Sequence, residues 1–213
     1  MDTGDVPILP RGHHNLSREQ VRAAQRARLL MGMVQAVAEH GYARATVATV
    51  LKRVRISRET FYQHFSDKED CFLAAFDEAS NLLIAMVEHA LGSPDDPPKD
   101  RLDRVLTSYL GALAAAPMMA RTFLIEVYGA GRAAVSRRLA VQERFAVAIG
   151  DVLTQGQPWR GSMDSRFVGR AVIGAVSALV TGYVDAGEYY RLPELRPQIV
   201  EFVGALLEGT GRA

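Results

Sequence analysis

Cysteine is nearly absent: Cys71 is the only one in 213 residues. One thiol excludes an internal disulfide and a multi-cysteine zinc site, and fits a reducing cytoplasm. An excess of charge of one sign is missing too. The formal net charge is +1, too little for a general nucleic-acid coat protein. The longest uncharged apolar run, Ala171–Val184, falls short of the ~20 residues of a spanning helix, and residues 1–16 lack the apolar centre of a signal peptide. There is no G-x-S-x-G, Walker A, H-E-x-x-H or G-x-G-x-x-G run, and no acid–base or metal constellation can be assembled. His13-His14 alone is too short to argue for a metal. Cys71, beside Glu69 and Asp70 at the start of an apolar helix, reads as a buried structural thiol rather than a nucleophile. These absences predict a cytoplasmic protein that is not an enzyme, with no cofactor, no metal and no membrane partner.

No strand-like alternation and no internal repeat is present either, whereas helical periodicity is everywhere. With 48% apolar residues the chain can bury one sizeable core or two small ones. Residues 1–16 mix Pro, Gly and His without a period and predict a flexible arm, whose Arg11 could also reach a minor groove. A capping box, Ser17-x-x-Gln20, opens a first helix that ends near Gly41. Leu30, Met33, Val34 and Val37 line its core face, and Arg18, Arg22 and Arg26 form a basic stripe that suits either phosphates or a solvated face. After two short helices, Ser66-Asp67 caps a helix over about 68–91, and Ser93–Pro98 is a linker. Further helical patterns run over 99–115, 117–128, 132–155, 164–186 and 193–208, broken at Pro117, Gly129–Gly131, Gly156-Gln157-Pro158, Gly187 and Pro193. The fold class is therefore all-α with about nine helices.

Residues 46–68, TVATVLKRVRISRETFYQHFSDK, carry the most information. Thr46 can cap a short helix with Val47, Val50, Leu51 and Val54 on one apolar face. Ser57 can cap a second, with Phe61 and Phe65 as its apolar i, i+4 pair and Arg58, Glu59, Tyr62, Gln63 and His64 on the other side. Two short helices joined by a three-residue turn are the geometry that lays the second in a DNA major groove. Charge agrees: residues 17–69 hold ten basic and five acidic side chains, while residues 70–213 hold 14 and 17. A basic N-terminal third on a nearly neutral body is a local phosphate-binding footprint.

Thr46, Ile56, Ser57, Thr60, Phe61, Tyr62, His64, Phe65, Asp67, Lys68 and Glu69, with the upstream Gly41-Tyr42 pair, resemble the DNA-binding module of the tetracycline-repressor (TetR) family of bacterial transcription regulators. The resemblance is specific over about residues 25–72. It implies a three-helix head over 17–67 and a larger helical domain over 68–213 that dimerises and binds a small effector. Thr46, Tyr62, His64 and Lys68 would chiefly hold phosphates, and Arg58, Glu59, Thr60 and Gln63 would face bases, with Arg58 on a guanine first. His64 can alternatively brace the helix packing. Three departures stand out. The family's turn glycine is Arg55 here, which either keeps a left-handed conformation under strain or changes the turn. Leu51 and Val54 replace small residues on the first of the two short helices, predicting a wider crossing with the second. Glu59 replaces a common glycine on the reading face.

The middle helices carry candidate pocket residues: Tyr109, Met118, Met119, Phe123, Glu126, Tyr128, Phe145 and Tyr183. Met and aromatic side chains at helical spacing are also ordinary core. Arg121 and Glu126 offer polar recognition or pair with one another. The helix carrying Phe167, Ala171, Gly174, Ala178, Thr181 and Gly182 is apolar nearly all round and must be buried. With Phe202 and Leu206 of the last helix it suits a four-helix bundle with a symmetry mate, or the core of a monomer. The resemblance favours a homodimer reading a palindromic operator and released by a small-molecule effector. The alternatives are a DNA-binding regulator or architectural protein without an effector, or a helical enzyme.

Overall fold

In the computed structural model the described residues are 17–154 and 164–208. The arm expected over 1–16, the break at Gly156-Gln157-Pro158 and the side chain of Leu206 lie outside the described residues. Among these residues all regular structure is helical. The α-helices are α1 (Arg18–His40), α2 (Val47–Val54), α3 (Arg58–His64), α4 (Lys68–Ala90), α5 (Pro98–Ala115), α6 (Pro117–Leu124), α7 (Arg132–Thr154), α8 (Ser165–Asp185) and α9 (Leu195–Glu208). Short 3-10 turns occupy Glu126–Ala130 and Tyr189–Glu194.

Local chemistry sets most of the boundaries. Ser17 and Gln20 close the expected capping box on α1, and Thr46 caps α2 with Thr49 reciprocating. The Asp67 carboxylate accepts from the Asp70 N–H at 2.8 Å to start α4, and Asp164 accepts from Phe167 at 2.7 Å to start α8. Two expectations shift. The pattern over 117–128 is not one helix: α6 stops at Leu124, and the chain tightens into a 3-10 turn before Gly131, whose φ of 95° turns the chain into α7. Pro193 does not begin the last helix but sits inside the 3-10 turn that precedes it.

Two hydrophobic clusters hold the chain. The first joins Leu29, Met33 and Val37 of α1 to Val50, Val54, Phe61, Phe65, Phe72 and Phe76, and also takes in Phe123 and Val127. The second is built from α5, α7, α8 and α9 around Leu102, Leu110, Ile149, Val172, Val180 and Leu192. The crossing of α7 and α8 is the tightest among the described residues. A Cβ at Gly150 would strike the Ser165 carbonyl, and one at Gly169 the Ala146 carbonyl, so backbone meets backbone there.

α8 is long and apolar enough by composition to cross a membrane, with a mean hydropathy of 1.6. Its valines at 168, 172, 176, 180 and 184 are buried in the second cluster. The opposite face stays uncovered: Ala171, Gly174 and Ala178 are exposed, Phe167 is 58% exposed and Leu179 47%. Complete burial of this helix, as the sequence predicts, is therefore not achieved within one chain.

Candidate functional site

The head presents α3 on a rigid base. Phe61 and Phe65 anchor the helix in the first cluster, their rings 5.7 Å apart. Ser57 Oγ accepts from the Thr60 N–H at 3.0 Å and lies 2.8 Å from the Thr60 hydroxyl, so Thr60 is half-buried and committed to the cap. That leaves Arg58, Glu59, Tyr62 and Gln63 exposed together. Thr46 is exposed at the start of α2. The turn between the helices keeps the left-handed conformation: Arg55 has φ 53° and ψ 45°, and it is the one non-glycine residue at positive φ among the described residues. Such a residue costs about 1–2 kcal/mol, offset by the burial of Val54 just before it and by the Arg28 guanidinium, which donates to the Val54 carbonyl at the end of α2. Val54 packs against α1: Gly32 lies opposite, and a Cβ there would come closer than 3.0 Å to Val54 Cγ1. A glycine on α1 thus admits the larger side chain at position 54.

His64 ends α3 in a shallow recess shared with Arg18, Val21, Arg22, Gln25 and Gln63. The basic stripe of α1 and the reading helix thus form one surface. Burial lowers the His64 imidazole below its ordinary value, and the charges of Arg22 and Arg26 push it the same way. Arg26 also lies over the Phe65 ring and pairs with Glu78 at 3.1 Å. Lys68 turns inward: its ammonium donates to the Tyr42 carbonyl at 2.9 Å and sits 3.9 Å from the Tyr42 ring centre, and burial lowers its pKa. In the free chain Lys68 braces the junction of α1 and α4. Cys71 lies fully buried behind it, its thiol pushed up to about 12 mainly by desolvation.

A second site lies among α4, α5, α6, α7 and α8: a cavity of about 400 Å³ with an almost wholly apolar wall, within the usual range for small-molecule sites. Tyr109, Met119, Phe123 and Phe145 of the sequence-predicted set line it. Four others do not, and of these Met118 is exposed on α6. Glu126 pairs with Arg121 at 3.6 Å, and its carboxylate accepts from the Tyr42 N–H at 3.0 Å, because the 3-10 turn swings it toward the head. Tyr128 is 57% exposed on that turn, with its hydroxyl accepting from Arg138 Nε at 3.1 Å. Tyr183 packs beneath the Arg191 guanidinium instead.

Sequence reasoning missed the cavity's polar groups, Arg138, Gln142 and Ser177. Arg138 falls in register with Ala134, Phe145 and Ile149 on the inner stripe of α7, and that spacing was the available signal. Burial pushes the Tyr109 phenol up to about 12, against the opposing influence of the Arg138 charge.

Between the two sites runs α6. The buried Thr122 hydroxyl donates to the Val34 carbonyl of α1 at 3.2 Å. The Phe123 ring meets Phe76 at 5.4 Å and Phe72 at 5.9 Å, and Phe72 meets Tyr42 edge-on at 5.0 Å. The candidate interface residues Phe167, Ala171, Gly174 and Ala178 share the open face of α8, Thr181 is half-buried, and Phe202 is 55% exposed on α9.

Comparison with known proteins agrees with this architecture. Residues 33–75 match the family described as bacterial regulatory proteins, tetR family. The HTH-type transcriptional repressor AcnR of Corynebacterium diphtheriae is 40% identical over 68 residues, 32% of this chain. That match covers 36% of the relative's length. The fold is shared with the fatty acid degradation regulator FadR of Bacillus halodurans (TM-score 0.74, 20% identity, 84% of this chain and 94% of that one). It is shared equally with FadR of Bacillus subtilis, solved in complex with stearoyl-CoA (TM-score 0.73, 20% identity, 83% and 96%). Residues 33–75 thus resemble the helix-turn-helix head of the tetR family of bacterial regulatory proteins, and the chain as a whole shares the all-helical fold of the solved regulators.

Proposed function

We propose that the protein is a homodimeric transcriptional repressor that binds a palindromic operator through residues 17–67 and is released when a small molecule enters the cavity of residues 68–213. The observation that carries this reading is the exposed row Arg58, Glu59, Tyr62 and Gln63 on a helix whose other face is locked into a core. Arg58 reads a base edge, while Thr46, Tyr62 and His64, with Arg18 and Arg22, grip phosphates. The open face of α8 with Phe202 pairs with its symmetry mate, which sets the separation of the two heads.

Release works through α6. Phe123 belongs to the cavity wall and to the first cluster at once, and Thr122 and Glu126 are bonded to α1 and to the turn after it. A ligand that displaces Phe123 shifts these contacts, and it favours whichever head position it binds better. That the B. subtilis regulator FadR, which shares this fold, was solved in complex with stearoyl-CoA supports a small-molecule effector. By linkage, operator DNA weakens ligand binding by the factor with which ligand weakens DNA binding, about 1–3 kcal/mol in typical systems.

The test is binding-site selection with the purified protein, followed by titration of the selected DNA. A symmetric motif bound by a dimer supports the reading, and random recovered sequences refute it. A cytoplasmic location goes with this role.

A further inference from the structure

Arg138 is 5% exposed and lines the apolar cavity. Its guanidinium stays charged and carries five N–H donors. Nε donates to the Tyr128 hydroxyl at 3.1 Å, Nη1 to the Phe123 carbonyl at 3.4 Å and Nη2 to Ser177 Oγ at 3.3 Å. All three acceptors are neutral, and the remaining two N–H groups have no acceptor among the described residues. The adjacent Arg137 pairs with Asp77 at 3.1 Å, whereas Arg138 has no carboxylate partner among the described residues. A buried cation without an anion is strongly disfavoured, so a fold that keeps one holds it for an anion that arrives.

The surroundings of Arg138 define that anion. Gln142 Nε2 also donates to Ser177 Oγ, at 2.9 Å, which fixes the hydroxyl as an acceptor twice over and leaves its own proton to donate. The Tyr109 phenol, held neutral by burial, is a further donor in the same wall. Donors therefore gather at one end, and the rest of the wall is built by side chains such as Leu83, Leu106 and Phe145. A planar guanidinium fork matches a carboxylate in geometry as well as charge.

We infer that the cavity binds an amphipathic carboxylic acid, its carboxylate on Arg138 and Ser177 and its hydrocarbon chain along the apolar wall. The inference rests on the proposed reading of this cavity as the effector site. A coenzyme A thioester carries its negative charge on phosphates far from the acyl chain, so an acyl chain seated in the cavity brings no carboxylate to Arg138.

The test is calorimetric titration of the full-length protein, without DNA, with hexanoate, octanoate, decanoate and dodecanoate, the methyl ester of each, and dodecanoyl-CoA. Affinity is expected to rise about four-fold per methylene until the cavity is full. Each acid is expected to bind about ten-fold or more tightly than its ester. Arg138→Gln removes that preference and leaves ester binding within about two-fold, while Arg138→Lys restores part of it. Circular dichroism and thermal melting show that a variant is folded, and the wild-type comparison of acid with ester decides without any variant. Equal binding of acid and ester, an acid preference that survives Arg138→Gln, tighter binding of the thioester, or no binding across the series overturns the inference. Operator binding is measured on the same sample. Its absence would remove the repressor reading and leave a carboxylate site standing, whereas ligand failure with intact operator binding removes the carboxylate site alone.

Discussion

Gly32→Ala tests how the head is held together. Gly32 is buried in the middle of α1, where alanine is intrinsically favoured over glycine by about 0.8–1.0 kcal/mol. On propensity alone the substitution stabilises. The packing opposes it: the new Cβ would stand closer than 3.0 Å to Val54 Cγ1 and 3.3 Å from Val50 Cγ1, against ordinary carbon separations of about 3.5–4.0 Å. Val54 is β-branched and has little rotamer freedom in a helix, so α2 must move as a body. Overpacking of this kind costs about 1–3 kcal/mol. The net effect is destabilisation of about 1 kcal/mol, with a tilt of α2 that carries α3 with it and weakens operator binding.

Val54→Ala alone leaves a cavity and destabilises by roughly 1–2 kcal/mol. In the double variant the two effects compensate, because the methyl added at position 32 fills vacated space and the helix propensity of alanine is realised. A double-mutant cycle by urea denaturation is therefore expected to give a coupling energy of about 1–3 kcal/mol, and fluorescence anisotropy should show operator affinity partly recovered in the double variant. A stabilised Gly32→Ala with coupling below about 0.5 kcal/mol would refute the close-approach argument.

Arg58→Ala is expected to relax sequence preference at one or two positions per half-site, costing about 1–3 kcal/mol at the matched base. Lys68→Met, by contrast, acts on stability through the lost Tyr42 contacts and leaves the salt slope of operator binding unchanged, unless the ammonium swings out to a phosphate, in which case the slope falls by about one. Ala178→Glu places a carboxylate on the open face of α8 and is expected to yield monomers in analytical ultracentrifugation, while wild-type monomers at micromolar concentration would remove α8 as the interface. His64 has a folded pKa below its unfolded value, so its contribution to stability is complete above the unfolded pKa and is lost as pH falls through the folded value. If a phosphate sits on His64, operator binding takes up a proton as pH falls toward the lowered folded value, and His64→Gln abolishes that part of the pH dependence.

The head was legible because its signals are local. Thr46, Ser57 and the Phe61–Phe65 pair act within one or two turns of helix, so sequence spacing is nearly the same thing as spatial neighbourhood. Even there, what holds Lys68 in the free chain was not legible. A helix N-terminus suggested a phosphate ligand, but Tyr42, 26 positions away, supplies the carbonyl and ring that hold its ammonium. Met119, Phe123, Tyr109 and Phe145 line the cavity, and periodicity picks them out because a cavity draws on the same apolar stripes as a core. Glu126 was misplaced because a periodic pattern does not reveal that α6 stops at Leu124 and a tighter turn redirects the next side chains.

The sequence alone determined the helical class, the order and approximate limits of the helices, and the residues displayed on the reading helix, since periodicity, caps and breakers are written in neighbouring positions. Tertiary structure decided which close approaches are used. Gly32 receives Val54, and Gly150 and Gly169 bring α7 and α8 into backbone contact, whereas the small residues Ala171, Gly174 and Ala178 are left open. It also decided that Arg138, one of two adjacent arginines, faces an apolar cavity while Arg137 faces Asp77 and solvent. A helix rotates by about 100° per residue, so neighbours in sequence point in different directions, and only the packing of the other helices fixes which of them is buried.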